Sequence, residues 1–236
     1  RLRDQLVSLN QLLVSIKNVN SHKYLAFGAM RRILKIVSSF NSIRVICHPK
    51  RKKPLTSDEQ GVLARDINMI YINIRGVMDN LAWSFLYEKD FQLVKTLKLE
   101  KYKTRVGLFS KDIRKTSALE FWKSINGDYG NWAKEFTIRR DPVAHGFPMY
   151  VIPKFFADEK QTMLAKRLDE EAINALLNND FEASDALNQK SHELGAFAPF
   201  FTCDPTEKFM PIFPNVTIDI SHLVRIIGRF KKEFQV

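Results

Sequence analysis

Apolar residues recur along much of this chain at alternating steps of three and four, the spacing that puts them on one face of an α-helix. Leu2, Leu6, Leu9, Leu13 and Ile16 form a first stripe, and Tyr24, Phe27, Leu34, Val37 and Val45 continue or follow it. The strongest stripe runs from Leu63 through Ile67, Ile70, Ile74, Val77 and Leu81 to Phe85. Thr56 with Glu59, or Ser57 with Gln60, has the spacing of a capping box and predicts where that helix begins. Just before it, prolines at 49 and 54 and four consecutive cations, Lys50, Arg51, Lys52 and Lys53, predict an exposed basic loop over 47–56.

Beyond residue 88 the pattern weakens and predicts a short helix with loops over 88–115. Ser117 and Glu120 form a second capping box, followed by Phe121, Trp122 and Ile125; "NGDYGN" then interrupts, and a further helix spans about 131–140. "FPMYVIPKFF" is Pro-flanked and rich in aromatic and β-branched residues, which predicts an extended segment. Residues 158–194 read as helical with a break at "LNND", and the Pro- and Phe-rich stretch 195–215 must pack its aromatics on another surface. A last helix is expected from Asp219 or Ser221, with cations in its final turn.

These elements predict an all-α fold. Eighteen Phe against nine Gly supports that class over a turn-rich β-sandwich. The expected organisation is one domain over 1–236, with a bundle core over about 1–150 and a C-terminal extension over about 156–236.

Charge adds a polarity to this picture. Residues 1–155 hold 28 Lys and Arg against 13 Asp and Glu, whereas 156–236 hold 9 against 13. The basic part suits phosphate backbones or simply a basic solvated surface, since charge speaks to association and not to fold. Two cysteines far apart, Cys47 and Cys203, suggest no disulfide scaffold and a reducing, cytoplasmic location. No apolar run approaches a membrane span and the opening residues lack a signal-peptide core, so no membrane partner is expected. The first residue is Arg, which leaves room for a natural start upstream.

Several catalytic signatures are absent from the sequence: a GxxxxGK[ST] phosphate loop, GxGxxG and GxSxG. "HELGA" at 192–196 has Ala196 where a zinc-protease helix needs its second His, so neither a metal site nor a cofactor is expected. Attention then falls on "RRDPVAHG", residues 139–146. Pro142 disfavours helical backbone at Asp141, which predicts that the helix arriving from 131 stops or bends there. Asp141 would cap a new turn with Pro142 as its first residue, so that Arg140 and His145 share the space at a helix N-terminus. A guanidinium fork and an imidazole that titrates near neutrality suit a phosphate. The competing reading is a capped, solvent-facing helix start. Arg75 and Asp79, four apart beside the strongest stripe, are placed to pair on one flank of their helix.

The segment "RDPVAHG" resembles the R-x4-6-H motif of the HEPN superfamily, helical-bundle proteins named for higher eukaryotes and prokaryotes nucleotide-binding domains. In that family a polar residue, most often Asn, follows the Arg; this chain has Asp141. "IRGVMDNLAWSF" at 74–85 is similar to the "R-x3-LD-x-LAW" helix of many bacterial HEPN-like proteins, with Met78 in place of Leu. "HGFPMYVIPKFF" and "GAFAPFF" followed by "DISHLVRIIGRF" resemble further segments of an uncharacterised bacterial group. The resemblance implies a four-helix bundle with added helices, often a homodimer whose Arg/His motifs face each other. It also implies metal-independent RNA cleavage of a toxin–antitoxin or antiviral type, often restrained by an antitoxin or other regulatory partner. Arg140 would stabilise the scissile phosphate, His145 would act as general acid or base, and Asp141 would orient one of them. RNA would be held by Arg139, Arg75 and Lys50 to Lys53, and the site supported by Asp79, Asn80 and Pro142. The alternative is a non-catalytic bundle that holds nucleic acid or assembles with protein.

Overall fold

The structure is a computed structural model that describes residues 1–111, 113, 120–203 and 209–234. Its class is all-α, as the periodicity predicts. Helix α1 (Leu2–Leu13) is followed by a continuous rod composed of α2 (Val19–Lys23), a π-helical segment (Tyr24–Met30) and α3 (Arg31–Ile46). Asn18 starts the rod by accepting hydrogen bonds from the backbone N–H groups of Asn20 and Ser21. Helix α4 (Ser57–Lys89) then runs 33 residues, about 50 Å, back alongside the rod. Its start is the capping box expected at Thr56 and Glu59: Thr56 Oγ1 accepts from Glu59 N, and Glu59 Oε2 accepts from Thr56 N.

Short α5 (Phe91–Thr96) and a 3₁₀ turn (Lys103–Arg105) lead to α6 (Glu120–His145). A hairpin of α7 (Glu159–Leu177) and α8 (Phe181–Glu193) breaks at "LNND", where Asn179 takes a positive φ of 61°. Helix α9 (Ile212–Phe234) closes the bundle. The extended segment predicted near 150 contributes β1 (Tyr150–Val151) to a small antiparallel sheet with β2 (Phe200–Thr202) and β3 (Met210–Pro211), in the order β1-β2-β3. Tyr150 opposes Thr202 and Phe201 opposes Met210, which turns fully buried Phe201 toward Tyr71 of α4.

One core unites these parts. Leu63 to Leu86 on α4 pack with Ile33, Ile36 and Ile43 of α3, Phe121, Trp122 and Phe136 of α6, and Val216, Leu223, Ile227 and Phe230 of α9. Aromatic packing is dense at one end, where the rings of Phe85 and Phe121 lie 4.4 Å apart and those of Phe230 and Phe234 lie 4.6 Å apart. The α7–α8 hairpin contributes none of its residues to this core and buries only Ala165, Ala172, Ser184 and Ser191.

Four sequence expectations need correction. "NGDYGN" does not interrupt: α6 is helical from Glu120 through Gly127 and Gly130 to His145, because flanking Ile125, Trp132 and Phe136 stay buried on one face. The last helix begins at Ile212 rather than Asp219, with Pro214 tolerated in a first turn where no N–H is needed. A bundle ending near residue 150 omits α9, whose apolar face fills the same core as α4, so only the α7–α8 hairpin has the character of an appendage. The 47–56 loop is only partly exposed: Pro54 and Leu55 are buried, and Leu55 N donates to Pro153 O while Phe197 N donates to Lys52 O. Ser117 of the second capping box lies outside the described residues.

Candidate functional site

Helix α6 continues through Asp141 and Pro142 to His145, so the expected stop and the new helix N-terminus at Asp141 do not form. Proline removes the hydrogen bond to Ile138 O, and Ile138 is exposed in this stretch of the helix. Gly146 N donates to Pro142 O at 2.8 Å and closes the turn, and Val143 packs against the core. Met149 N then donates to Asn68 Oδ1 of α4, fixing the end of α6 against the central helix. Arg140 and His145 therefore sit at the C-terminal, partially negative end of a helix, the opposite polarity from the one expected.

They are nonetheless brought together. Arg140 Nη1 donates to Asp141 Oδ1 at 3.0 Å and lies 3.5 Å from His145 Nε2. His145 is exposed, Asp141 half-exposed, and Arg140 partly buried, with its Nε enclosed and unpartnered. Asp141 is thus placed to hold the guanidinium, and the guanidinium to touch the imidazole.

Behind this pair lies a polar seam along α4. Arg75 Nε forms an ion pair with Asp79, 3.1 Å from Oδ1, and donates its hydrogen bond to Oδ2 at 3.3 Å, the pairing expected from their spacing. Burial raises the pKa of Asp79, while the charges of Arg75, Arg140 and Arg32 pull it down, so three guanidinium groups converge on one carboxylate. Arg32 had no signal in the sequence. It reaches the seam from α3 by donating to Asn73 Oδ1 at 3.1 Å and crossing Gly76, where a Cβ would lie 2.5 Å from Arg32 Cζ. Gly107 makes a similar close approach: its Cβ would meet Asp79 Oδ1 at 2.7 Å. Asp79 Oδ1 is enclosed without a hydrogen bond, and Asn80 turns to the other side of α4, against Gly28.

Two expected RNA contacts are otherwise engaged. Arg139 points into the protein and grips Asp219 of α9, with Nε–Oδ2 at 3.1 Å and Nη2–Oδ1 at 2.7 Å; Trp132 Nε1 donates to the same Oδ1 at 2.8 Å. Asp219 is fully buried, and Tyr71 beside the pair has its pKa raised by burial and then by the Asp219 charge. Asp219 is therefore an interior anchor rather than a helix cap, and the sequence signal that could have found it is its place amid Val216, Leu223 and Ile226 on a buried stripe. Arg51 is likewise taken: both its Nη atoms bond Glu59 at 2.7 Å, and Nη2 and Nε reach Pro54 O and Lys53 O. The Arg51 hydrogen bonds hold the Glu59 carboxyl down at about 2.

Lys50, Lys52 and Lys53 are exposed, but at the start of α4, about 27 Å along the axis from Arg75. Lys53 instead borders a cleft of about 1020 Å³ between the basic loop and the α7–α8 hairpin. A second cavity of about 640 Å³ adjoins the seam at Asn80 and Gly28. Among the described residues no helix is long and apolar enough to cross a membrane. Comparison with known proteins adds no relative to this geometry: no family model, curated protein or solved structure matches the chain.

Proposed function

We propose that this protein is a HEPN-like ribonuclease in which Arg140 and His145 cleave RNA without a metal-borne step, working as a homodimer. The observation that carries the reading is the contact between Arg140 and His145, 3.5 Å apart at the surface, backed by Arg75 and Arg32 around Asp79. In the proposed step His145 removes the proton from a ribose 2′-hydroxyl, whose oxygen attacks the adjacent phosphorus. The bond to the 5′-oxygen breaks, that oxygen takes a proton from an imidazolium or from water, and the products are a cyclic phosphate and a 5′-hydroxyl end. Arg140, steadied by Asp141, stabilises charge developing on the non-bridging oxygens. The exposed Lys50, Lys52 and Lys53 add long-range attraction for the strand. A toxin or antiviral role, held in check by a regulatory partner, is the setting this chemistry suits.

The test is incubation with single-stranded RNA in excess chelator, reading the product ends. The wild type is expected to leave cyclic phosphate and 5′-hydroxyl termini, and Arg140→Ala and His145→Ala to lower the rate at least about 100-fold. Cleavage that survives both substitutions overturns the reading. The second reading, a non-catalytic nucleic-acid-binding or assembly module, is favoured by the continuous helix, which leaves His145 at a solvated C-terminal turn. It predicts RNA retention by wild type and His145→Ala alike, with no cleavage by either.

A further inference from the structure

The cavity beside Asn80 is a ready-made place for one nucleotide. It occupies about 640 Å³ and is lined by the rings of Tyr24 and Tyr87, the amide of Asn80, the carboxylate of Glu100 and the ammonium groups of Lys23 and Lys103. Tyr24 belongs to an aromatic stack: its ring lies 5.4 Å from Trp83 and 5.7 Å from Tyr87, nearly parallel to both, which makes it a rigid platform. The π-helical segment Tyr24–Met30 widens the rod opposite Asn80, and Gly28 within it allows the Asn80 side chain to come close. Among the described residues, the Asn80 amide forms no hydrogen bond with protein, so both its donor and its acceptor are available to a ligand.

The cavity neighbours the Arg/Asp seam along the groove between the rod and α4. Gly28 and Arg32 lie one turn apart on the rod and face Asn80 and Gly76, one turn apart on α4. Asn80 follows Asp79 directly, and Arg75 lies only about 7.5 Å further along the helix axis. A strand whose phosphate meets Arg75 and Arg140 can therefore set a neighbouring base against Tyr24.

We infer that this cavity is a base-reading subsite for an unpaired RNA nucleotide whose base carries an exocyclic amino group; the inference rests on the ribonuclease reading above. Aromatic stacking alone accepts every base. Discrimination comes from Glu100, a carboxylate that can accept from an exocyclic amine, and from Asn80, which can donate to and accept from the edge of adenine in the same way. Glu100 is held in position by the Tyr87 hydroxyl, which donates to Oε1 at 2.7 Å. Uracil lacks the amine and would bring a carbonyl against the carboxylate. Lys23 and Lys103 stand at the rim to neutralise a phosphate.

The experiment measures binding of adenosine, cytidine and uridine 5′-monophosphates, with ribose 5-phosphate as a base-free control, by saturation-transfer NMR titration on the full chain. Adenosine or cytidine monophosphate is expected to bind at least tenfold more tightly than uridine monophosphate, and ribose 5-phosphate more weakly still. Asn80→Asp and Lys103→Glu should each weaken the preferred nucleotide at least tenfold; Lys103 is exposed on a 3₁₀ turn, so its reversal leaves the fold intact, which a thermal melt verifies. Equal binding of all three nucleotides, or unchanged binding in both variants, overturns the subsite. His145→Ala should bind the nucleotides as the wild type does. RNA cleavage by a protein that fails these binding tests removes the subsite and leaves the catalytic reading, whereas base-selective binding without cleavage removes the catalytic reading and leaves the subsite.

Discussion

Arg139 and Arg140 are neighbours in sequence and differ in almost everything else. On a helix consecutive residues project about 100° apart, and here that rotation separates the interior from the surface. Arg139 is locked between α6 and α9 on a fully buried carboxylate that it shares with the Trp132 indole. Arg140 meets Asp141 and His145 through Nη1 alone, and its Nε is enclosed without a hydrogen bond among the described residues. The first arrangement commits a two-nitrogen fork to a buried carboxylate that holds the fold, whereas the second sets one guanidinium nitrogen against an exposed, titratable imidazole. A pair of arginines beside a histidine therefore does not make a two-arginine site; the partner on the other helix decides which of them is available.

The largest effect should come from breaking the buried half of that comparison. Asp219→Ala strands the Arg139 charge and the Trp132 N–H in the interior and is expected to cost about 3–5 kcal/mol, read as a fall in the denaturant midpoint. A loss under about 1 kcal/mol would mean that Arg139 is not the structural member of the pair. Arg140→Ala should change stability by no more than about 1 kcal/mol while abolishing cleavage, because its partners are solvated and keep water as a substitute. If it unfolds the protein instead, the contrast collapses.

The basic loop offers a smaller, pH-resolved version of the same contrast. Glu59 is held near pKa 2, against an ordinary value of 4.5, first by its hydrogen bonds from Arg51. A lowered carboxyl pKa contributes stability above the unfolded value and loses it as pH falls through the folded one. The contribution should accordingly be complete above about pH 4.5 and fade toward pH 2. After solvent screening it amounts to about 1–2 kcal/mol, and acid titration of Arg51→Ala should lack that component. A matching acid profile in both proteins would show that Arg51 is not committed to Glu59 and is free to meet RNA.

How much of this was legible differs by distance along the chain. The Thr56 capping box, the long stripe on α4, the break at "LNND" and the Arg75–Asp79 pair all depend on residues within a turn or two of each other, and each reads directly from spacing. The run through Pro142 did not, because local backbone preference at Asp141 was outweighed by Val143 on the core and by the Met149–Asn68 bond, contacts the sequence does not place. "NGDYGN" failed for the same reason: a stretch of poor helix formers is carried by the buried aromatics on either side of it.

By itself, then, the sequence determined the all-α class and the principal helices, whereas the contact of Arg140 with His145 arises on an unbroken α6 that the sequence did not predict. Tertiary structure alone decided that Arg139 and Arg51 are consumed by Asp219 and Glu59, that Arg32 arrives at Asp79 across Gly76, and that α9 belongs to the core. The reason is that a side chain's availability is set by whatever charge or hydrogen-bonding partner the fold brings within about 3 Å of it, and such partners can lie 80 residues away in the chain, as Asp219 does from Arg139.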